Sequence, residues 1–272
     1  MLVAALGFAI MGTLVKIGAQ KFSSAELVFY RSLFGLVFIW AFCFRHKRPL
    51  SSPMLGKHIS RSLVGFVALI LFFYAIAKLP LATAITLNYT SPLFVALLST
   101  LLLKEKVKKT LLLALVIGFA GVILLLKPTL NNDNWVAGLM GLLSGFGAGL
   151  AYIYVKQLGQ ANEPDWRTVF YFTLISTMCA GCWMLFDQFN ALSWQDLPVL
   201  LGLGLTATIA QLALTRAYRT GHVLVVASLA YTTILIASLL GILLWHEHLS
   251  LDAWLAIALI ILSGIISLRS KT

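Results

Sequence analysis

Residues Tyr74–Lys106 read YAIAKLPLATAITLNYTSPLFVALLSTLLLKEK. The stretch contains the end of one apolar helix, a tight Lys78-Leu79-Pro80 turn and a second apolar helix closed by charge. Leu81 to Leu103 carry no charge over 23 positions, enough to cross a bilayer core with some tilt. Near the middle, Pro92 has no N–H to offer the Asn88 carbonyl, so one backbone acceptor is left open deep in the apolar layer. Lipid has no donor for it, and a neighbouring helix, a hydroxyl or water must supply one. Asn88-Tyr89-Thr90-Ser91-Pro92 then has two readings. It is either a polar cavity wall or a kink whose hydroxyls bond back to their own helix.

The same pattern returns downstream. A shift of 142 positions lays Tyr89-Thr90-Ser91 on Tyr231-Thr232-Thr233 and Lys104-Glu105-Lys106 on His246-Glu247-His248. A shift of 141 lays Val28-Phe29-Tyr30-Arg31 on Val169-Phe170-Tyr171-Phe172, and a shift of 140 lays Val15-Lys16 on Val155-Lys156. Three matches in chain order at nearly one offset imply two copies of one unit, residues 1–130 and 131–272.

Composition restricts the class. Hydrophobic residues make up 60% of the 272 and charged residues 11%, with a mean hydropathy of +0.96, as expected of a polytopic membrane protein and not of a soluble domain. The three cysteines give no disulfide framework, and Cys179-Ala-Gly-Cys182 lies inside an apolar stretch where helix packing is the simpler role. The N-terminus has no basic region of the signal-peptide type. Ten spans are expected, at about 1–19, 24–44, 61–77, 81–103 and 110–127, then 135–155, 167–186, 197–215, 223–245 and 252–268. The predicted fold is all-α, with ten transmembrane helices arranged as two five-helix repeats. Because five is odd, the second copy is inverted.

Charge orients the bundle. Fifteen of the 20 basic residues fall on one side, among them Arg45, Lys47, Arg48, Lys57, Arg61, Lys104, Lys106, Lys108 and Lys109. By the positive-inside rule that side, with both termini, is cytoplasmic. The net charge of +11 therefore has a topogenic source and calls for no nucleic acid. Trp135, Trp166, Trp194 and Trp254 near span ends are interfacial anchors.

Three features together resemble the drug/metabolite transporter superfamily and its EamA-like ten-helix branch. They are the paired Phe29-Tyr30-Arg31 and Phe170-Tyr171-Phe172 segments, the turn from Ala75 to Ala84 with Pro80-Leu81-Ala82, and Leu101-Leu102-Leu103-Lys104-Glu105. The resemblance covers essentially the whole chain. It implies a carrier of small metabolites in a bacterial inner membrane, with a central cavity lined by spans one, three, four, six, eight and nine. Spans five and ten would be peripheral.

Candidate cargo contacts follow from chemistry and depth. Arg31 lies about seven residues into span two, on the order of 10 Å below the surface. A guanidinium there costs at least ~2.5 kcal/mol on insertion scales, so it needs a partner or a wet cavity. It is either paired internally with Glu26 or a bidentate anchor for a carboxylate or phosphate. Thr208, Gln211 and Thr215 share one helix face, and their repeat counterparts are Phe66, Leu69 and Phe73. Either these faces point inward and make an amphipathic cavity, or the aromatics face lipid and Gln211 bonds a neighbour. Asn88, Ser91 and Thr233 contribute polar groups at mid-span, and Tyr89, Tyr152 and Tyr231 are candidates for stacking. Gly141, Gly145 and Gly149 permit close helix approach, while Glu105 and Glu247 suit the N-termini of the helices that follow them.

No Asp or Glu occupies the middle third of any span, which disfavours proton-coupled export of organic cations. No metal box, nucleophile elbow or P-loop points to an enzyme, and no cofactor or metal is expected. The expected function is secondary transport of a small amphipathic metabolite, anionic or zwitterionic, by alternating access through a midplane cavity. Proton-coupled drug export, or a scaffold or receptor role, is the alternative. The expected partners are the small-molecule substrate, the bilayer and protons as a candidate coupling ion, with the chain a monomer or weak homodimer.

Overall fold

In the computed structural model, which describes residues 1–103, 109–130, 134–186, 189–220 and 229–269, the uncharged run after Pro80 forms two helices instead of one. The described elements are α1 (Leu2–Gly18), α2 (Ser24–Arg45), α3 (Leu55–Lys78), α4 (Leu81–Asn88), α5 (Ser91–Leu103), α6 (Lys109–Leu130), α7 (Trp135–Gln160), α8 (Asp165–Met184), α9 (Leu197–Thr220), α10 (Thr232–Trp245) and α11 (Leu251–Arg269). All are helical, and α2, α3, α7 and α9 are long and apolar enough to cross a membrane. The protein is an all-helical membrane protein. Lys104, Glu105, Lys106 and Lys108, to which the charge and repeat readings appeal, lie outside the described residues.

The break between α4 and α5 follows from Pro92. After Asn88 the ladder tightens into a turn, with Thr90 N donating to the Leu87 carbonyl at 3.2 Å, and α5 then starts again. Thr90 Oγ1 also donates to the Leu87 carbonyl, at 2.6 Å. The other side of the break is closed by α7. A Cβ on Gly145 would stand 2.5 Å from Thr90 Oγ1 and 2.7 Å from the Leu87 carbonyl, while one on Gly149 would meet the Ser91 carbonyl at 3.0 Å. Only a stripe without side chains lets α7 lie directly on the interrupted segment.

Helices pair across the chain. α3 lies along α7, α1 along α9, α2 against α8, and α6 against α11 at the periphery. Phe73, Ile76, Leu81, Ile85 and Leu87 are fully buried where α3 and α4 meet these neighbours. Trp135, Trp194 and Trp254 are exposed near helix ends.

Charges at the two ends of the bundle are paired. At one end Lys16 binds Glu247 and donates to the Leu79 carbonyl, and Lys21 binds Asp196 at 2.5 Å. Glu247 also accepts the Leu81 N–H at 3.0 Å. The sequence expectation that Glu247 serves the helix following it is corrected here, since the N-terminus it caps is that of α4. His246 takes the left-handed conformation, φ 52°, and turns the chain back so that Glu247 folds over Gly241, where a Cβ would stand 2.5 Å from Oε2. At the other end Glu163 accepts from Ser52 Oγ at 2.8 Å and Arg167 Nη1 at 2.9 Å, and lies 3.3 Å from His58 Nε2.

Candidate functional site

Arg31 enters the bundle from a well-fixed helix start. Ser23 and Glu26 form a capping box on α2, Ser23 Oγ accepting the Glu26 N–H at 3.2 Å and Glu26 Oε2 accepting the Ser23 N–H at 2.7 Å. Two further donors, Asn190 N and Nδ2, reach the same carboxylate at 2.6 and 2.7 Å. Glu26 is thereby saturated, and no ion pair joins it to Arg31. The Arg31 side chain is 2% exposed, and its Nε and Nη1 have no hydrogen-bond partner among the described residues. What steadies it is the ring of Phe172 on α8, 5.0 Å from the guanidinium carbon. Phe172 occupies the position that matches Arg31 in the downstream copy of the sequence pattern.

A second arginine reaches the same ring from the opposite end of the bundle. The sequence reading assigned Arg61 to the basic loop between spans two and three, and the structure corrects this. Helix α3 begins six residues earlier, at Leu55, which carries Arg61 about 9 Å along the helix and into the interior. Arg61 is 3% exposed, its guanidinium carbon lies 3.8 Å from the Phe172 centroid, and its Nε and Nη1 are likewise without partners among the described residues.

The two arginines line a central cavity of about 80 Å³. Asn88, Tyr89, Tyr152, Gln211 and Thr233 add polar groups to its wall, and Phe8, Met11, Leu69, Phe72 and Ile85 add apolar ones. No carboxylate is among these lining residues. The two mid-span patches touch here, with Thr233 Oγ1 donating to Tyr89 Oη at 2.8 Å. Asn88 Nδ2 donates to Ser144 Oγ on α7 at 3.0 Å, while Gln211 Nε2 has no partner among the described residues. Tyr152 stacks on Tyr218 with ring centroids 5.5 Å apart.

Three candidates lie off this wall. Ser91 is buried with its carbonyl against α7, and Tyr231 is buried beside the cavity with its hydroxyl unpartnered among the described residues. Thr208 donates to the Gly204 carbonyl and lines a separate lateral groove with Asp165 and Arg216. Of the aromatic face on α3, Phe66 and Phe73 are buried in helix packing and do not face lipid, and only Leu69 reaches the cavity. Arg61 is the residue that the sequence reading missed. The signal available was Gly65 one turn on, where a Cβ would lie 3.1 Å from Arg61 Nη1.

The arrangement can bind and orient an anion between two guanidinium groups and a set of neutral donors, beside an apolar floor. It offers no nucleophile–base pair, and the described residues bring no three His, Cys, Asp or Glu side chains together.

Comparison with known proteins agrees with a transport role. The chain is 35% identical over 275 residues to an uncharacterized transporter of Helicobacter pylori, covering 97% of this chain and 92% of that protein. It is 31% identical to the pseudopaline exporter of Pseudomonas aeruginosa, over 90% of this chain and 86% of the exporter. A riboflavin transporter of Vibrio cholerae is 26% identical, over 97% and 89% of the two chains. One solved structure shares the fold, with a TM-score of 0.71 at 18% identity over 97% of this chain and 94% of its own. The EamA-like transporter family matches twice, over residues 1–127 and 135–269. The chain therefore belongs to the EamA-like transporter family, within the drug/metabolite transporter superfamily.

Proposed function

We propose that the protein is a secondary transporter that moves a small amphipathic metabolite with an anionic or zwitterionic head, by alternating access through the central cavity. The observation that carries this reading is Arg31, buried in the cavity wall with unpartnered N–H groups while the nearby Glu26 is fully occupied elsewhere. A permanently charged group in so buried a site is costly unless a ligand completes it. The absence of carboxylates among the lining residues weighs against organic cations.

Alternating access is supported by how helices pair. Exchanging residues 1–130 with 131–272 turns the α3–α7 contact into the α9–α1 contact and leaves α2–α8 and α6–α11 as they are. Two inverted repeats around a central axis would pair in this way, and the doubled family match is in keeping with it. A cavity of about 80 Å³ holds a few waters and is smaller than the roughly 300–1,000 Å³ of ordinary ligand pockets, so loading calls for the halves to move apart. The basic end of the bundle and both termini are then cytoplasmic, in a bacterial inner membrane. The relatives named for their cargo differ in what they move, which supports small metabolites as a class.

Counterflow in proteoliposomes tests the reading, with radiolabelled amino acids, nucleotides and organic acids supplied in turn. An anionic or zwitterionic compound should exchange saturably. Arg31→Lys, which keeps the charge and loses the fork, should lower exchange about tenfold, and Arg31→Gln should lower it further. Exchange of cations alone, or unchanged exchange in a folded Arg31→Gln protein, would overturn it.

A further inference from the structure

Two guanidinium groups lie over one aromatic ring, that of Phe172, and no described carboxylate neutralises either. The described carboxylates are otherwise engaged: Glu26 with Ser23 and Asn190, Glu163 with Ser52, His58 and Arg167, Asp165 with Arg219, Asp196 with Lys21, and Glu247 with Lys16. Asp252 is exposed on α11. Stacking on Phe172 steadies each guanidinium plane but satisfies neither its N–H groups nor its charge. Gly65 shows that the Arg61 pose is built in. A Cβ at that position would stand 3.0 Å from Phe172 Cε2 and 3.1 Å from Arg61 Nη1, so the glycine leaves the room in which the guanidinium folds back along α3 towards the ring.

We infer that Arg61 is a second cargo anchor beside Arg31, and that the cargo is a small organic dianion carrying two carboxylates on one skeleton. This deepens the transport reading above and rests on it. A monoanion would neutralise one arginine and leave the other buried and bare. Two carboxylates match two forks, and each can take a pair of parallel N–H bonds. The apolar floor opposite, with Leu69 and Ile85, accommodates the hydrocarbon that joins them. The like charge of the two arginines sharpens the selection, because a single negative charge leaves the pair with a net positive charge.

The inference is tested by calorimetry on the purified full-length chain in nanodiscs. The probes are the α,ω-dicarboxylates from malonate to suberate, each compared with its half-amide, which keeps the length and removes one charge. At least one dicarboxylate should bind about tenfold tighter than its half-amide. In Arg61→Gln the half-amide should bind as before, and the preference should fall to within roughly threefold. Where Arg61→Gln does not fold, Arg61→Lys keeps the charge without the fork, and the preference should still drop several-fold. An undiminished preference in either folded variant would make Arg61 a structural residue and overturn the inference, leaving Arg31 as the anchor. Half-amides binding as tightly as diacids would also overturn it, while the anionic-cargo reading survives. If no carboxylate of either kind binds, the inference falls, and counterflow with amino acids and nucleotides decides the broader reading.

Discussion

The ends of the bundle and its centre treat charge in opposite ways. At one end Lys16, Glu247 and the Leu81 N–H close on one another, and at the other Ser52, His58 and Arg167 converge on Glu163. Every formal charge in these clusters meets its opposite or a hydrogen-bond partner. In the centre Arg31 and Arg61 are more deeply buried than Lys16, Glu247 or Arg167, and no described carboxylate pairs with either. Burying a charge with its partner roughly breaks even, whereas burying one alone is a standing cost to the fold. On the proposed function, the difference separates groups that hold this structure together from groups kept for a ligand.

The contrast breaks most visibly at Glu163. Glu163→Gln leaves His58 and Arg167 without their anion in a buried cluster, and should lower unfolding stability by about 3 kcal/mol, read as a fall in thermal midpoint. Exchange per folded molecule should be unchanged, since Glu163 is absent from the cavity wall. Acid should act on the same group. Burial pushes the Glu163 carboxyl up, but hydrogen bonds from Ser52, Arg167 and His58 outweigh it and hold the carboxyl below its ordinary value. A depressed carboxyl stabilises the fold above its unfolded pKa and loses that contribution as pH falls through its folded one. The midpoint should therefore decline as the medium is taken below about pH 4.5, and decline less in Glu163→Gln.

Removing a central charge should do the reverse. Arg31→Met takes away a guanidinium that no described group satisfies, so stability should hold or rise, by up to about 1 kcal/mol, while exchange collapses. A drop in thermal midpoint as large as that of Glu163→Gln would erase the distinction between ends and centre. Thr233→Val deletes the single bond to Tyr89 across the two patches and should cost about 1 kcal/mol or less. The smallest effect belongs to Asp196. The Lys21 ammonium and the Ser193 N–H and hydroxyl hold its carboxyl down to about 2, yet the pair lies at the surface with Lys21 exposed, and Asp196→Asn should move the thermal midpoint too little to resolve at high salt.

Much of this was legible in the chain because its cause is local. Pro92 announces the broken helix, the glycines at four-residue spacing announce what lies on it, and a charge seven residues inside an apolar run announces Arg31. Arg61 was hidden by its neighbours. It follows Arg45, Lys47, Arg48 and Lys57, and the positive-inside rule absorbs any arginine in such company until the true start of α3 is known. Glu163 and His58 carry no local signature at all. They are 105 residues apart, and only the packing of α3 beside α8 gives either one a meaning. Glu247 was misread for a related reason. Its nearest helix in sequence is α11, but the left-handed turn at His246 delivers it to a helix 166 residues upstream.

That last tie bears on how the protein is made. Leu81 leaves the ribosome 166 residues ahead of the carboxylate that receives its N–H. At ordinary elongation speeds this is a wait of roughly 10 to 30 s, long compared with the microseconds in which a helix forms. During that wait the first turn of α4 has to stay where water or headgroups can serve it, close to the membrane surface. The cap of one of the earliest helices is thus completed by the closing stretch of the polypeptide.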